Sequence, residues 1–147
     1  MKVFIVFLGI LLVSVSAIVF QGDLGAYGQE QLLLKEAAEE CAAGASLFLQ
    51  EEAYSRGTVV FDYEQADGYI KSYLAYIKRN SKALSQGRAF YTAVFEDDEM
   101  GYSPDNTDKI PAVTVQIHVD TADLFRVPFI EVMSLERRAR YELPEGK

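Results

Sequence analysis

An uncharged apolar run at the N-terminus most constrains what this chain can fold into. Residues Val3 to Phe20 read VFIVFLGILLVSVSAIVF and contain no charged side chain. As an α-helix this run would extend about 27 Å, which is close to the thickness of the hydrocarbon core of a bilayer. The run therefore predicts either a membrane anchor at residues 1–20 or a targeting segment that is removed.

Two fates of this segment are open, an anchor that is retained and a signal peptide that is cleaved. A signal peptide usually has a shorter apolar stretch of about 7–15 residues, although Val15-Ser16-Ala17 offers a small-residue cleavage site. Cleavage there would leave an apolar start at Ile18, so retention is favoured. Lys2 is the only charged side chain before the span, and the positive-inside rule then predicts a single-pass protein of the cell membrane with its C-terminal domain outside.

The composition limits the functions open to the rest of the chain. The formal net charge of -8 disfavours nucleic acid as a partner, because its phosphates are also negative. Cys41 is the only cysteine and His118 the only histidine, which excludes an intrachain disulfide, a paired-cysteine metal site and a multi-histidine metal site. We therefore predict that the protein is not an enzyme and has no catalytic residue, no cofactor site and no metal site.

Three glycines follow the apolar run at a spacing of three residues. Gly22, Gly25 and Gly28 each lower the stability of a helix by about 1 kcal/mol relative to alanine. Our interpretation is a soft joint at residues 21–30, a hinge at which the chain can bend or run straight. The alternative is a glycine that simply ends a helix.

From Gln29 onward apolar residues recur at steps of three and four, which predicts an amphipathic helix. Its middle, CAAGAS, consists almost entirely of small residues, so a second helix can approach it closely. Cys41, Ala42, Ala45 and Ser46 are therefore predicted to form a helix-contact surface. The contact is either packing within the same domain or an interface between subunits.

A second helix is predicted from Tyr63 to Lys82. Asp62 is suited to cap its first turn, and Gln65 stands three residues later, as in a capping box.

After Gly87 the apolar period changes to two, which predicts strands. The segments are Arg88 to Phe95, Ala112 to Val119, and residues 133–143. Each has one polar face, so we predict an α+β extracytoplasmic domain over residues 31–147. In it the helices cover one side of an antiparallel sheet of three strands, or slightly more.

Acidic side chains crowd the loop between the first two predicted strands. Residues 96–109, EDDEMGYSPDNTDK, supply oxygen ligands of the kind that calcium prefers, but lack the spacing and central glycine of an EF-hand loop. A solvated acidic turn is favoured over a calcium site. On the strands, His118 is expected to face water, and Arg137, Arg138 and Arg140 are expected to pair with carboxylates across strands.

The order of these parts resembles a known protein family. An N-terminal membrane segment, a joint, the helices LLLKEAAEECAAGASLFLQ and YEQADGYIKSYLAYIKRN, and the strand segments AVTVQIHV and FRVPFIEVMSLERRARYEL are similar to the TadE-like pseudopilins of tight-adherence pili. The likeness covers nearly the whole chain and rests on layout, with no short diagnostic motif.

The resemblance implies an envelope protein that helps assemble or prime a surface pilus or a related secretion machine. Its implied partners are other pilin-like subunits or envelope assembly proteins, and it brings no catalytic residues. Two other classes stay open. One is a single-pass membrane protein whose outer domain binds a partner unrelated to pili, and the other, less favoured, is a secreted enzyme with a cleaved signal peptide.

Overall fold

One long helix joins the N-terminal apolar run to the folded domain. A computed structural model describes residues 2–126 and 130–144. The first helix, α1, runs without interruption from Lys2 to Ala45. The remaining elements are α2 (Glu51–Ser55), α3 (Tyr63–Ile77), α4 (Lys82–Gln86), β1 (Arg88–Glu96), β2 (Ala112–Asp120) and β3 (Ser134–Glu142). The protein therefore has the predicted α+β fold.

The three strands form one antiparallel sheet in the order β1-β2-β3. The register places Val115 of β2 opposite Ala93 of β1 and Ala139 of β3. Each strand lies within one residue of its predicted bounds, because the period-two pattern marks the half-buried positions directly. The apolar residues of β2 are fully buried under α1, which packs against β2 and β3 and also contacts α3.

The second predicted helix is shorter than expected, and a separate helix begins where it was predicted to end. Its start is confirmed: the Asp62 side chain accepts a hydrogen bond from the Gln65 backbone N–H at 3.0 Å. The helix ends at Ile77 instead of continuing to Lys82. A new helix starts at Lys82 because Ser81 caps it, accepting from the Leu84 backbone N–H at 3.0 Å.

Small side chains let α1 lie close to α3. Ala38, Cys41 and Ala42 are fully buried in the core. A Cβ added at Gly44 would overlap the ring of Tyr69 on α3. The alanine-rich sequence of α1 is thus needed for its close approach to its neighbours.

The domain has two distinct ends along α1. At the junction end, where α1 leaves the domain towards its apolar run, lie the start of α4 and the loop after β2. At the far end lie the C-terminus of α1 and the acidic loop, where Asp97 contacts the backbone of Phe61. Since a helix rises 1.5 Å per residue, Phe20 and Ala45 are separated by about 38 Å.

Candidate membrane anchor and its junction with the folded domain

The first part of α1 is a bare apolar rod. Within residues 2–126 and 130–144, α1 is the one helix long and apolar enough to cross a membrane, and its most apolar stretch is entirely unburied. Side chains from Val3 to Ile18 project away from the domain. A signal sequence meets the same criterion of length and apolarity.

A buried carboxylate ties the domain to α1 just beyond this rod. The Asp23 side chain is only 8% exposed, and its Oδ2 accepts a hydrogen bond from the Arg126 backbone N–H at 2.7 Å. The Arg126 guanidinium Nε lies 3.8 Å from Oδ1, but this side chain is 85% exposed. Since exposed ion pairs contribute little, the backbone hydrogen bond is the main link at this point.

An aromatic cluster surrounds this link. The ring of Phe125 lies 6.2 Å from that of Phe20 and 5.7 Å from that of Tyr27, between ring centroids. Phe125 is buried, so its apolar area is removed from water against α1. The loop after β2 is therefore attached to α1 at the residue where the apolar run ends.

Glu30 makes a second link, about two helical turns beyond Asp23 along α1. Its carboxylate accepts from the Ser81 hydroxyl at 2.6 Å and from the backbone N–H groups of Lys82 and Ala83 at 2.9 and 3.4 Å. These N–H groups belong to the first turn of α4, where no intrahelical acceptor is available. The Glu30 side chain thus joins α1 to the start of α4.

The three predicted hinge glycines lie within the uninterrupted α1 helix. At Gly22, Gly25 and Gly28 an added Cβ would meet no atom within 4 Å. Asp23 and Glu30, which hold the domain, lie close to them in sequence but on the buried side of the helix. The chain is a continuous helix here, and any bending would have to act against these two links.

The predicted helix-contact residues are all inside the domain. Cys41, Ala42, Ala45 and Ser46 are each fully buried within the chain's own fold. The structure thus places this contact within the domain, where another subunit has no access to it. Burial raises the pKa of the Cys41 thiol to about 12, with a smaller contribution from the neighbouring Glu40 charge.

Two carboxylates of the acidic loop, those of Asp97 and Asp98, bind their own chain. Asp97 is fully buried, and its Oδ2 accepts from the Phe61 backbone N–H at 3.0 Å and the Tyr63 hydroxyl at 2.7 Å. Its other oxygen accepts from the backbone N–H groups of Glu99 and Met100. Burial, followed by the hydrogen bond to Asp97, raises the pKa of Tyr63. Asp97 is therefore a structural anchor of this loop.

No group of three or more histidine, cysteine, aspartate or glutamate side chains in the described part of the chain is arranged to hold a metal ion. Asp98, the next carboxylate in the loop, is also occupied by the protein. It accepts from the Val59 backbone N–H at 2.8 Å and from the Tyr102 hydroxyl at 2.9 Å.

One of the three arginines that were expected to pair across strands, Arg140, forms an ion pair that spans the sheet. Arg140 on β3 reaches over β2 to Glu96 on β1, with 3.2 Å between Nη2 and Oε2. Asn106 also donates to Glu96, at 2.7 Å. These partners, Arg140 above all, lower the pKa of Glu96 to about 2. Of the three predicted arginines, Arg140 alone forms an ion pair within the residues that the structure covers.

His118 lies on the same face of the sheet and is half-exposed. Its Nε2 lies 2.9 Å from Asp120 and its Nδ1 lies 3.4 Å from Glu136. Hydrogen bonds to Asp120 and then Glu136 raise the pKa of His118. Asp120 lies two residues further along β2 and Glu136 lies opposite His118 on β3, so this is an ordinary arrangement on the polar face of a sheet.

The sequence interpretation missed the junction residues Asp23, Glu30 and Phe125. A signal existed for the first two: Asp23, Tyr27, Glu30 and Leu34 follow one another at steps of three and four, so they share a face of α1. This face is the one that is buried further along the helix. No local signal identifies Phe125, because its partner residues lie about a hundred positions earlier in the chain.

No protein-family model, curated protein or solved structure matches this chain.

Proposed function

We propose that this chain is a membrane-anchored, pseudopilin-like subunit that helps assemble or prime a tight-adherence type pilus or a related secretion machine. The observation that carries the proposal is that the single helix α1 belongs to two different parts of the molecule. Its first part is a bare apolar rod, and its second part is the central core element of the α+β domain.

The exposed apolar side chains of this rod are unfavourable in water, and a bilayer would shield them from it. Similar rods of neighbouring subunits would shield them in the same way after assembly. Because the rod and the domain core are one helix, a subunit can exchange lipid for neighbouring rods without refolding its domain. This property suits a component that waits in a membrane and later joins or docks on other pilin-like subunits or envelope assembly proteins.

The proposal includes a retained anchor with the domain outside the cell membrane. Support comes from the absence of charge between Val3 and Phe20 and from the position of Lys2 before the span. N-terminal sequencing of the mature protein tests retention: a start at residue 1 or 2 is expected, and a start at Ile18 would contradict the anchor. Protease added to intact, wall-stripped cells should digest the domain.

The function is tested by deleting the gene in its native host and counting surface pili by electron microscopy. The full chain should restore pili. A matched control, residues 21–147 behind a cleavable secretion signal, keeps the domain but lacks the rod and should not restore them.

Normal pili in the deletion strain would contradict the proposal and favour a single-pass protein with an unrelated partner. Neighbouring genes give a second test, since a secretion ATPase and a polytopic assembly platform are expected beside this one.

A further inference from the structure

We infer that the outer edge of β1 binds an extended, acidic segment of another protein as a fourth strand of the sheet. The segment would lie along β1 and place side chains in the groove between β1 and α3. This inference depends neither on the membrane anchor nor on the role in pilus assembly, so it can fail or hold independently of both.

The first argument is that the outer edge of β1 is open. Among the described residues the sheet has the order β1-β2-β3, so no strand lies on the other side of β1. Half of the backbone N–H and C=O groups of an edge strand point away from the sheet. These groups can bond a further strand, and sheet edges in other proteins bind extended peptides in this way.

The second argument is that β1 lacks the protection that β3, the opposite edge, carries. Proteins usually blunt an exposed edge with charged side chains, which oppose pairing with another chain. The charged residues of β3 are Glu136, Arg137, Arg138, Arg140 and Glu142. From Ala89 to Phe95, by contrast, β1 carries no charge, and Phe90 and Val94 are 54% and 50% exposed. The edge of β1 is therefore the one suited to pairing with a partner strand.

The third argument is a groove of about 500 Å³ beside the first part of β1. One wall is a single face of α3, formed at steps of three and four by Lys71, Leu74, Ala75 and Lys78. The other wall is residues 88–91. The Tyr91 hydroxyl donates to Asp67 on α3, so the two walls are already joined. A segment paired with β1 would place alternate side chains in this groove.

The charge of this groove is opposite to that of the protein as a whole. The chain has a formal net charge of -8, but residues 68–95 contain five lysines and arginines and no aspartate or glutamate. Lys71 is paired with Asp67, at 2.6 Å. Lys78 and Arg88 are exposed, and neither forms an ion pair with any other residue that the structure describes. These two cations beside open backbone groups favour an acidic segment.

One carboxylate lies near Arg88 without neutralising it. Asp120 is opposite Arg88 in the register of β1 and β2, but the Asp120 carboxylate lies 2.9 Å from His118 Nε2. The guanidinium of Arg88 thus remains available to a partner.

A second copy of this chain would not supply the charge that the groove calls for. If two copies paired through β1 about a two-fold axis, each would turn the side chains of Ala89, Tyr91, Ala93 and Phe95 towards α3 of the other. None of these side chains is charged, so none could pair with Lys78. The occupant that fits both the open edge and the cations is a separate acidic strand.

The inference is tested with a synthetic peptide, acetyl-Thr-Val-Glu-Val-Glu-Val-Thr-amide, that carries a fluorophore. The peptide reads the same in both directions and alternates as a strand does, so its valines can cover Phe90 and Val94 while its glutamates face Lys78. Binding to the detergent-solubilised full chain is measured by fluorescence anisotropy. The same peptide with glutamine in place of glutamate is the charge control.

We expect the acidic peptide to bind, and the glutamine peptide to bind at least about tenfold more weakly. Lys78→Glu and Arg88→Glu should each weaken binding of the acidic peptide, whereas Arg137→Glu on the opposite edge of the sheet should not. In hydrogen exchange, the acidic peptide should protect amides of β1 and leave those of β3 unchanged. Folding of each variant is checked by protection of the buried Cys41 thiol against a thiol reagent.

Backbone pairing is tested with two further versions of the peptide, each methylated on one alternate set of amide nitrogens. A strand donates to its neighbour on one side from only one of these sets, so one version should lose binding and the other should keep it. Equal binding by the two versions would overturn the inference, as would no binding of the acidic peptide to the folded chain at millimolar concentration. Self-association of the full chain that the peptide reverses would also overturn it, since the occupant of β1 would then be a second copy.

Discussion

Asp23 on α1 and Arg126 in the loop after β2 are 103 residues apart in the chain, yet a 2.7 Å hydrogen bond joins them at the point where the bare helix enters the domain. The bond uses a buried carboxylate and a backbone N–H. It therefore fixes the position of the chain at residue 126, whatever the exposed arginine side chain contacts.

Replacing Asp23 tests this link. Asp23→Ala leaves the Arg126 N–H without its acceptor, and we expect the loop attachment to weaken by about 1–3 kcal/mol. Amide hydrogen exchange of Arg126 in the detergent-solubilised full chain should then become faster. Asp23→Asn keeps an acceptor oxygen and should preserve much of the protection. Equal protection in the natural chain and in Asp23→Ala would mean that the carboxylate does not hold the loop.

Cys41 should report on unfolding of the domain. Its thiol is fully buried and its pKa is raised to about 12, so almost no thiolate forms at neutral pH. We expect an aromatic disulfide reagent to leave the folded chain unmodified and to react with one thiol per chain in denaturant. Rapid reaction without denaturant would show that the α1–α3 packing opens readily.

Gly44→Ala should destabilise the domain although alanine favours helix. The added methyl group would overlap the Tyr69 ring, and such overpacking typically costs about 1–3 kcal/mol. Gly25→Ala in the same helix meets nothing within 4 Å and should instead stabilise it by up to about 1 kcal/mol. Thermal unfolding measures both. Combining Gly44→Ala with Tyr69→Leu should recover part of the loss, and no recovery would argue against this clash.

The hinge interpretation predicts that a stiffer helix at residues 21–30 impairs pilus assembly. Replacing Gly22, Gly25 and Gly28 together by alanine should stabilise α1 by roughly 2–3 kcal/mol, and the open space at each position allows it. We expect normal membrane levels and folding but fewer surface pili, since bending at residues 21–30 becomes harder. Full pilus assembly by the triple variant would show that the straight helix is sufficient.

The Glu96–Arg140 pair predicts a loss of stability in acid. The pKa of Glu96 is lowered from 4.5 to about 2 in the folded protein, so its contribution is fully present above about pH 4.5 and is lost as the pH falls towards 2. This lowering of the pKa corresponds to a contribution of about 3 kcal/mol to the free energy of unfolding. Denaturant unfolding at several pH values should show Glu96→Gln less stable than the natural chain at pH 7, with the difference shrinking below pH 4.

Glu142 supplies the control for this prediction. It also contacts Arg140, at 3.0 Å, but its side chain is 52% exposed, so Glu142→Gln should change stability little at any pH. Equal effects of the two substitutions would show that burial of Glu96 has no special importance.

Features that depend on local sequence could be predicted from the sequence alone. The apolar run, the α+β class, the three strands and the Asp62 cap all follow from residue types repeated at two, three or four positions. Neighbouring residues largely determine these features. The separate helix α4 escaped prediction, because its start is capped partly by Glu30, which lies about fifty residues earlier in the chain.

Tertiary structure alone decided what the local patterns left open. The small residues around Cys41 were equally suited to contact a subunit or their own domain, and only the packing of α1 against α3 and the sheet buries them internally. In the sequence, Asp97 cannot be distinguished from the other acidic residues of its loop. Only the fold brings the Phe61 backbone and the Tyr63 hydroxyl into contact with its carboxylate. Asp23 and Arg126 meet for the same reason. Such contacts join residues far apart in the chain, and their partners are chosen by how helices and sheet pack, which a periodic pattern in one segment does not contain.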